Sequence, residues 1–128
     1  MNLKYALKCY KKIFKNPRDV DAWLDLANYF LEINLPLLTI NHTFSAGLIN
    51  PRDKRVYLIR AEAFAKIKDY LHATIEIINL LLIERRPNPE IIRDYFNVVW
   101  ERKRELEKKL FERVREYYLT GKYSTLFP

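Results

Sequence analysis

A chain of 128 residues, 49% hydrophobic and 30% charged, has the length of one domain and enough apolar mass for a core, which excludes general disorder. Two glycines and one cysteine exclude glycine-rich phosphate loops, an internal disulfide framework and a CxxC metal knuckle. The formal net charge of +7 makes an anionic partner worth weighing, while the composition argues against an enzyme.

Leu3 to Lys15 has helical spacing, with Leu3, Leu7, Tyr10 and Phe14 as the expected buried face. Lys4, Lys8, Lys11, Lys12 and Lys15 form a stripe on its other side, which suits a capping helix. The turn Asn16-Pro17-Arg18-Asp19 follows, and the same tetrapeptide recurs at Asn50-Pro51-Arg52-Asp53. Asn before Pro suits an N-cap with Pro in the first helical turn. A third proline turn, at nearly the same interval again, runs from Arg86 to Glu90. A fixed period in this range predicts a repeat array.

Between the turns, the apolar period predicts a second helix over 18–33, with Trp23, Leu26, Ala27, Phe30 and Ile33 inward. After a break at Asn34-Leu35-Pro36, a third runs to Ile49 through Ile40, Phe44, Ala46 and Leu48. A fourth covers 52–66 with Tyr57, Ala61, Phe64 and Ile67, and a fifth reaches Glu84 through Ala73, Ile77, Leu80 and Leu81. Pro89 opens a sixth segment, helical by pattern to about Leu119, with Gly121 as its stop. Nothing alternates with period two, so the expected fold is all-α, built of antiparallel helix hairpins with a long C-terminal helix. Residues 1–88 are read as the repeats, half a unit plus two full units, and 89–128 as a capping or projecting helix with an apolar tail.

The segment from Tyr5 to Pro87 resembles the tetratricopeptide repeat family, whose units are helical hairpins of about 34 residues. Trp23, Leu26, Ala27 and Phe30 hold the large, large, small and aromatic places of a first helix, and Ala46 and Pro51 fit the second helix and exit proline. Tyr57, Ala61, Phe64 and Ala73 repeat the pattern. Thr39, Thr43 and Arg60 depart from it. The resemblance implies a non-catalytic protein–protein interaction module, an adaptor or subunit of a larger complex. It also implies a groove lined by first helices, with Asp21, Asp25, Asn28, Glu32, Arg55 and Glu62 at or near groove-facing positions. Leu24, at the neighbouring groove place, makes a clamp for a C-terminal carboxylate doubtful, and an acidic groove favours a basic ligand.

Charge divides along the chain. Residues 1–18 hold six Lys and Arg and no acid, whereas 19–50 hold Asp19, Asp21, Asp25 and Glu32 and no Lys or Arg. The lysine stripe is therefore the candidate contact for an anionic partner, and non-specific nucleic-acid binding through it is the alternative function. His42 and His72 have no partner at ligand spacing, Cys9 is read as buried rather than nucleophilic, and no catalytic set, cofactor or metal is expected. The stretch 101–109, ERKRELEKK, is polar on nearly every side, so the last helix either projects or bends near Trp100–Lys103 and returns. Leu110, Phe111, Val114, Tyr117, Tyr118 and Phe127 beyond it are expected to dock on a partner or a second copy, with internal packing as the other outcome. The longest apolar run, 71–83, falls short of the about 20 residues of a bilayer span. A cytoplasmic location without a membrane partner is expected.

Overall fold

The two NPRD turns fold alike. Asn16 and Asn50 each accept the amide of the Arg two residues on, at 3.1 and 3.2 Å, and so close the turn around the proline. The N-cap is Asp rather than the expected Asn: Asp19 accepts from the Ala22 amide and Asp53 from the Arg55 amide, both at 3.1 Å. The ring that follows each turn is tied back to it, since Trp23 Nε1 donates to the Pro17 carbonyl at 3.0 Å and the Tyr57 hydroxyl to the Pro51 carbonyl.

The computed structural model describes residues 3–85 and 88–122. They form seven helices and, among the described residues, no strand: α1 (Leu3–Lys15), α2 (Val20–Glu32), α3 (Pro36–Ile49), α4 (Lys54–Lys66), α5 (Tyr70–Ile83), α6 (Pro89–Glu101) and α7 (Arg104–Thr120). The sequence offset that carries Asn16 onto Asn50 also carries α2 onto α4 and α3 onto α5, matching both ends of each helix. Within each hairpin the connection passes through a left-handed residue, Asn34 or Lys68, both at φ 62°. The molecule is thus an all-α array of antiparallel hairpins, each helix packing on its neighbours from α1 to α5.

Small side chains allow this approach. Ala22 and Ala27 on α2, Thr39, Thr43 and Ala46 on α3, Ala61 and Ala63 on α4 and Ala73 and Thr74 on α5 are all almost wholly buried. Leu26 and Phe30 fill the space between α1 and α2 together with Ala6, Cys9 and Ile13. This corrects the expected face of α1: Leu3, Leu7 and Phe14 point away from α2 and are exposed, and Tyr10 is half-buried. Phe44 and Leu48 on α3 are exposed as well.

Of the two outcomes open for the C-terminal segment, a projecting helix or a bend near Trp100–Lys103 and return, the chain takes the bend. Arg102, left-handed at φ 48°, ends α6, and α7 turns back. α7 packs chiefly on α5, where Leu110, Phe111 and Val114 join Ala73, Ile77, Leu81 and Ile91 in the largest core cluster. Tyr117 and Tyr118 pack at its edge, and the Tyr118 hydroxyl lies 3.2 Å from Glu84 Oε1. Five of the six residues expected as a docking stripe are therefore covered by the chain itself, and Phe127 lies outside the described residues.

Candidate functional site

Asp21, Asp25, Asn28 and Glu32 follow i, i+4, i+7, i+11 on α2, and all four side chains are exposed on one face. The opposite face holds Ala22, Leu26 and Ala27 in the core, so the polar row is fixed in direction by the packing beneath it. Leu24, expected beside this row, is instead buried with Ala46 and Val56 between α2, α3 and α4.

The row divides in two. At its start, Arg55 of α4 donates to Asp21 Oδ1 at 2.7 Å and grips Asp53 through Nε and Nη2 at 3.1 and 2.7 Å. Arg55 and Asp21 are related by the offset between the hairpins, hence at equivalent places on neighbouring helices, and the one guanidinium serves two carboxylates, Asp21 and Asp53. The guanidinium holds the Asp53 carboxyl below the usual carboxylate range, against the opposing effect of burial. Farther along, Asp25, Asn28 and Glu32 line an open cleft of about 360 Å³ with Tyr5 of α1 and Tyr29. The two tyrosine rings sit 5.2 Å apart at an interplanar angle of 44°. Partial burial, with smaller effects from Cys9 and Asp25, raises the Tyr5 hydroxyl above its ordinary value, so it stays a neutral donor at the rim.

Glu62 is not part of this cleft. It pairs with Arg115 of α7 at 3.2 Å, so the returning helix occupies the α4 end of the acidic row. The six residues expected in one groove thus form an ion-paired corner (Asp21, Arg55), a cleft (Asp25, Asn28, Glu32) and a contact closed by α7 (Glu62). Tyr5 and Tyr29 are the additions that sequence spacing did not single out. A polar stripe marks carboxylates and amides, and nothing in it records which rings of another helix lean over them.

The remaining reactive groups are engaged. His42 sits buried, with Nε2 2.8 Å from the Tyr10 hydroxyl and Nδ1 2.7 Å from the Leu38 carbonyl, among Trp23 and Phe30. His72 stacks on Phe64 and lies 2.8 Å from Asp69. Burial pushes the Cys9 thiol up, away from thiolate chemistry. Two of the departures from the sequence pattern, Thr43 and Arg60, share a buried network: Arg60 donates to the Thr43 hydroxyl at 3.0 Å, to the Thr43 carbonyl at 3.1 Å and to Glu76 at 3.3 Å. Its guanidinium lies 4.0 Å from the Phe44 ring centroid.

The five lysines of α1 are all exposed. On α3, Thr39 and Ala46 face the preceding helix of the hairpin, and the equivalent places on α1 are Tyr5 and Lys12. No helix among the described residues is long and apolar enough to cross a membrane. No protein family, characterised protein or solved structure matches the chain.

Proposed function

We propose that the chain is a tetratricopeptide-like interaction module that acts by binding, as an adaptor or subunit of a larger assembly. Its ligand is a basic segment of another protein, held along α2. The observation that carries this reading is the cleft of Asp25, Asn28 and Glu32, with its two tyrosine rings, on helices that recur at one fixed offset. Carboxylates attract Lys and Arg and speed encounter, the Asn28 amide can pair with a peptide backbone, and tyrosines supply rigid apolar contact. The carboxylates lie on an open helix face rather than in an apolar pocket of the kind that tunes a catalytic group, which favours binding over catalysis.

The test is binding of a Lys/Arg-rich peptide by calorimetry. Asp25→Lys with Glu32→Lys should lower affinity at least tenfold, since each reversed contact is worth on the order of 1 kcal/mol or more. Unchanged affinity rejects the site. The second reading, non-specific nucleic-acid binding through Lys4, Lys8, Lys11, Lys12 and Lys15, is supported by the exposure of all five on one helix. It requires affinity for a duplex oligonucleotide that falls steeply with salt.

A further inference from the structure

Positions related by the offset that carries α3 onto α5 occupy the same place in successive hairpins. On that lattice Leu3, Leu37 and Leu71 coincide, as do Tyr10, Phe44 and Ile78, and likewise Phe14, Leu48 and Leu82. A fourth row is Leu7, Asn41 and Ile75. On each of α1, α3 and α5 the four positions follow i, i+4, i+7, i+11, which is one helix face.

Among the described residues that face is open on α1 and α3 and partly covered on α5, where Ile78 packs against the core. Phe14 and Leu48 are 86% and 88% exposed, and Leu3, Leu7, Leu37 and Phe44 are each more than half exposed. Leu82 is 50% exposed, and Leu71, Ile75 and Ile78 are half-buried. α7, which turns back onto α5, presents charged residues outward instead: its Glu105, Lys109, Glu112 and Glu116 are all exposed. Apolar surface repeated over three helices is far more than scattered single residues and marks a binding face.

Charge and hydrogen bonding say what it binds. Neither α1 nor α3 contains a carboxylate, and the one on α5, Glu76, is buried against Arg60. Lys4, Leu7, Lys11 and Phe14 follow one another at three- and four-residue steps, so cations border the apolar row on α1. The rows offer Asn41 as their polar side chain, while the Tyr10 hydroxyl is occupied by His42. A specific protein interface carries about one hydrogen bond per 100–200 Å²; acyl chains ask for none. A nucleic-acid backbone would engage the lysines and leave Leu3, Leu7 and Phe14 in water.

We infer that the α1–α3–α5 face docks on the surface of an anionic lipid bilayer. The Leu and Phe side chains enter the boundary between headgroups and acyl chains, and the α1 lysines meet the headgroup charges. The helices lie on the membrane and do not cross it. The inference does not rest on the acidic cleft, whose carboxylates stand on α2.

The experiment is co-sedimentation of the full chain with phosphatidylcholine vesicles, with and without about one-third phosphatidylserine. Binding is expected to the phosphatidylserine vesicles and to fall sharply without that lipid. Phe14→Glu with Leu48→Glu, at positions too exposed to affect folding, should lower it at least tenfold. Replacing Lys4, Lys11 and Lys15 by Gln should lower it on the order of fivefold per lysine. Asp25→Lys with Glu32→Lys should leave vesicle binding undiminished, which separates this face from the peptide cleft. Absence of vesicle binding overturns the inference, as does vesicle binding indifferent to the two Glu substitutions. Two further results overturn it: a duplex oligonucleotide whose binding is lost in the lysine variant but kept in the Glu variant, and a dimer in sedimentation that Leu48→Glu dissociates while vesicles are ignored.

Discussion

The α2–α3 and α4–α5 hairpins trace the same backbone, helix end for helix end, yet Leu26 stands inside the first where Arg60 stands inside the second. Leu26 packs in a cluster with Ala6, Cys9, Ile13 and Phe30, whereas Arg60 is met by Thr43, Glu76 and the Phe44 ring. The left-handed turn residue differs too, Asn34 against Lys68, at the same φ of 62°. Two interiors of different chemistry therefore satisfy one geometry. That geometry is held by what recurs: an Asn-Pro turn, an Asp N-cap, a ring bonded back to the proline carbonyl and small residues where helices cross.

The largest test makes the second hairpin resemble the first. Arg60→Leu strands a buried carboxylate, and Glu76→Leu strands a buried guanidinium, so each should cost about 3–5 kcal/mol in denaturant unfolding. The double substitution should recover that loss and reach wild-type stability or better. Removing the caps comes next: Asp19→Ala and Asp53→Ala should each lose about 1 kcal/mol. The loss should be greater at Asp53, which also holds Arg55. If only one cap matters, the two turns are not equivalent.

A pH series separates the interiors more finely. Burial raises Glu76 above 4.5, outweighing the pull of Arg60. A carboxyl raised on folding contributes its stability below its unfolded value and loses it as pH rises through its folded value. The melting temperature of the wild type should therefore decline relative to that of Glu76→Gln as pH climbs from about 4.5, with the slope of the difference, rather than its level, as the readout. Asp53 works in the opposite sense, favouring stability above 3.8 and losing it on acidification, and it cancels between the two proteins. The smallest effect is at the turn. Lys68→Asn, which copies Asn34, should gain a few tenths to about 1 kcal/mol by easing the left-handed backbone.

The recurring tetrapeptide made the hairpins legible, because its Asn, Pro and Asp act locally through turn and cap. The interior of α2 was legible for the same kind of reason, since Leu26, Ala27 and Phe30 form its one apolar stripe. On α1 the rule failed. Apolar residues there cover two adjoining faces, and periodicity cannot say which one meets α2. The larger Leu3, Leu7 and Phe14 looked like core, but helices approach closely over Ala6 and Cys9. On α3, Thr39 and Thr43 take core places while Phe44 and Leu48 are exposed, and the two hydroxyls are satisfied at 3.0 Å by the Ala27 carbonyl and at 2.6 Å by the Ile40 carbonyl. The break at Arg102 carries no glycine or proline, and the polar stretch 101–109 announced it only as one of two outcomes. Of the candidate site, the α2 row was readable from its spacing. The loss of Glu62 to Arg115 was not, since it depends on a distant helix folding back.

The acidic cleft can be tested most directly by amide chemical-shift mapping of the labelled chain as a Lys/Arg-rich peptide is added. Shifts should centre on Asp25, Asn28 and Glu32, extend to Tyr5 and Tyr29, and vanish in the Asp25→Lys, Glu32→Lys variant. Saturable binding whose shifts centre on α3 and α5, or persist in that variant, would contradict the proposed site.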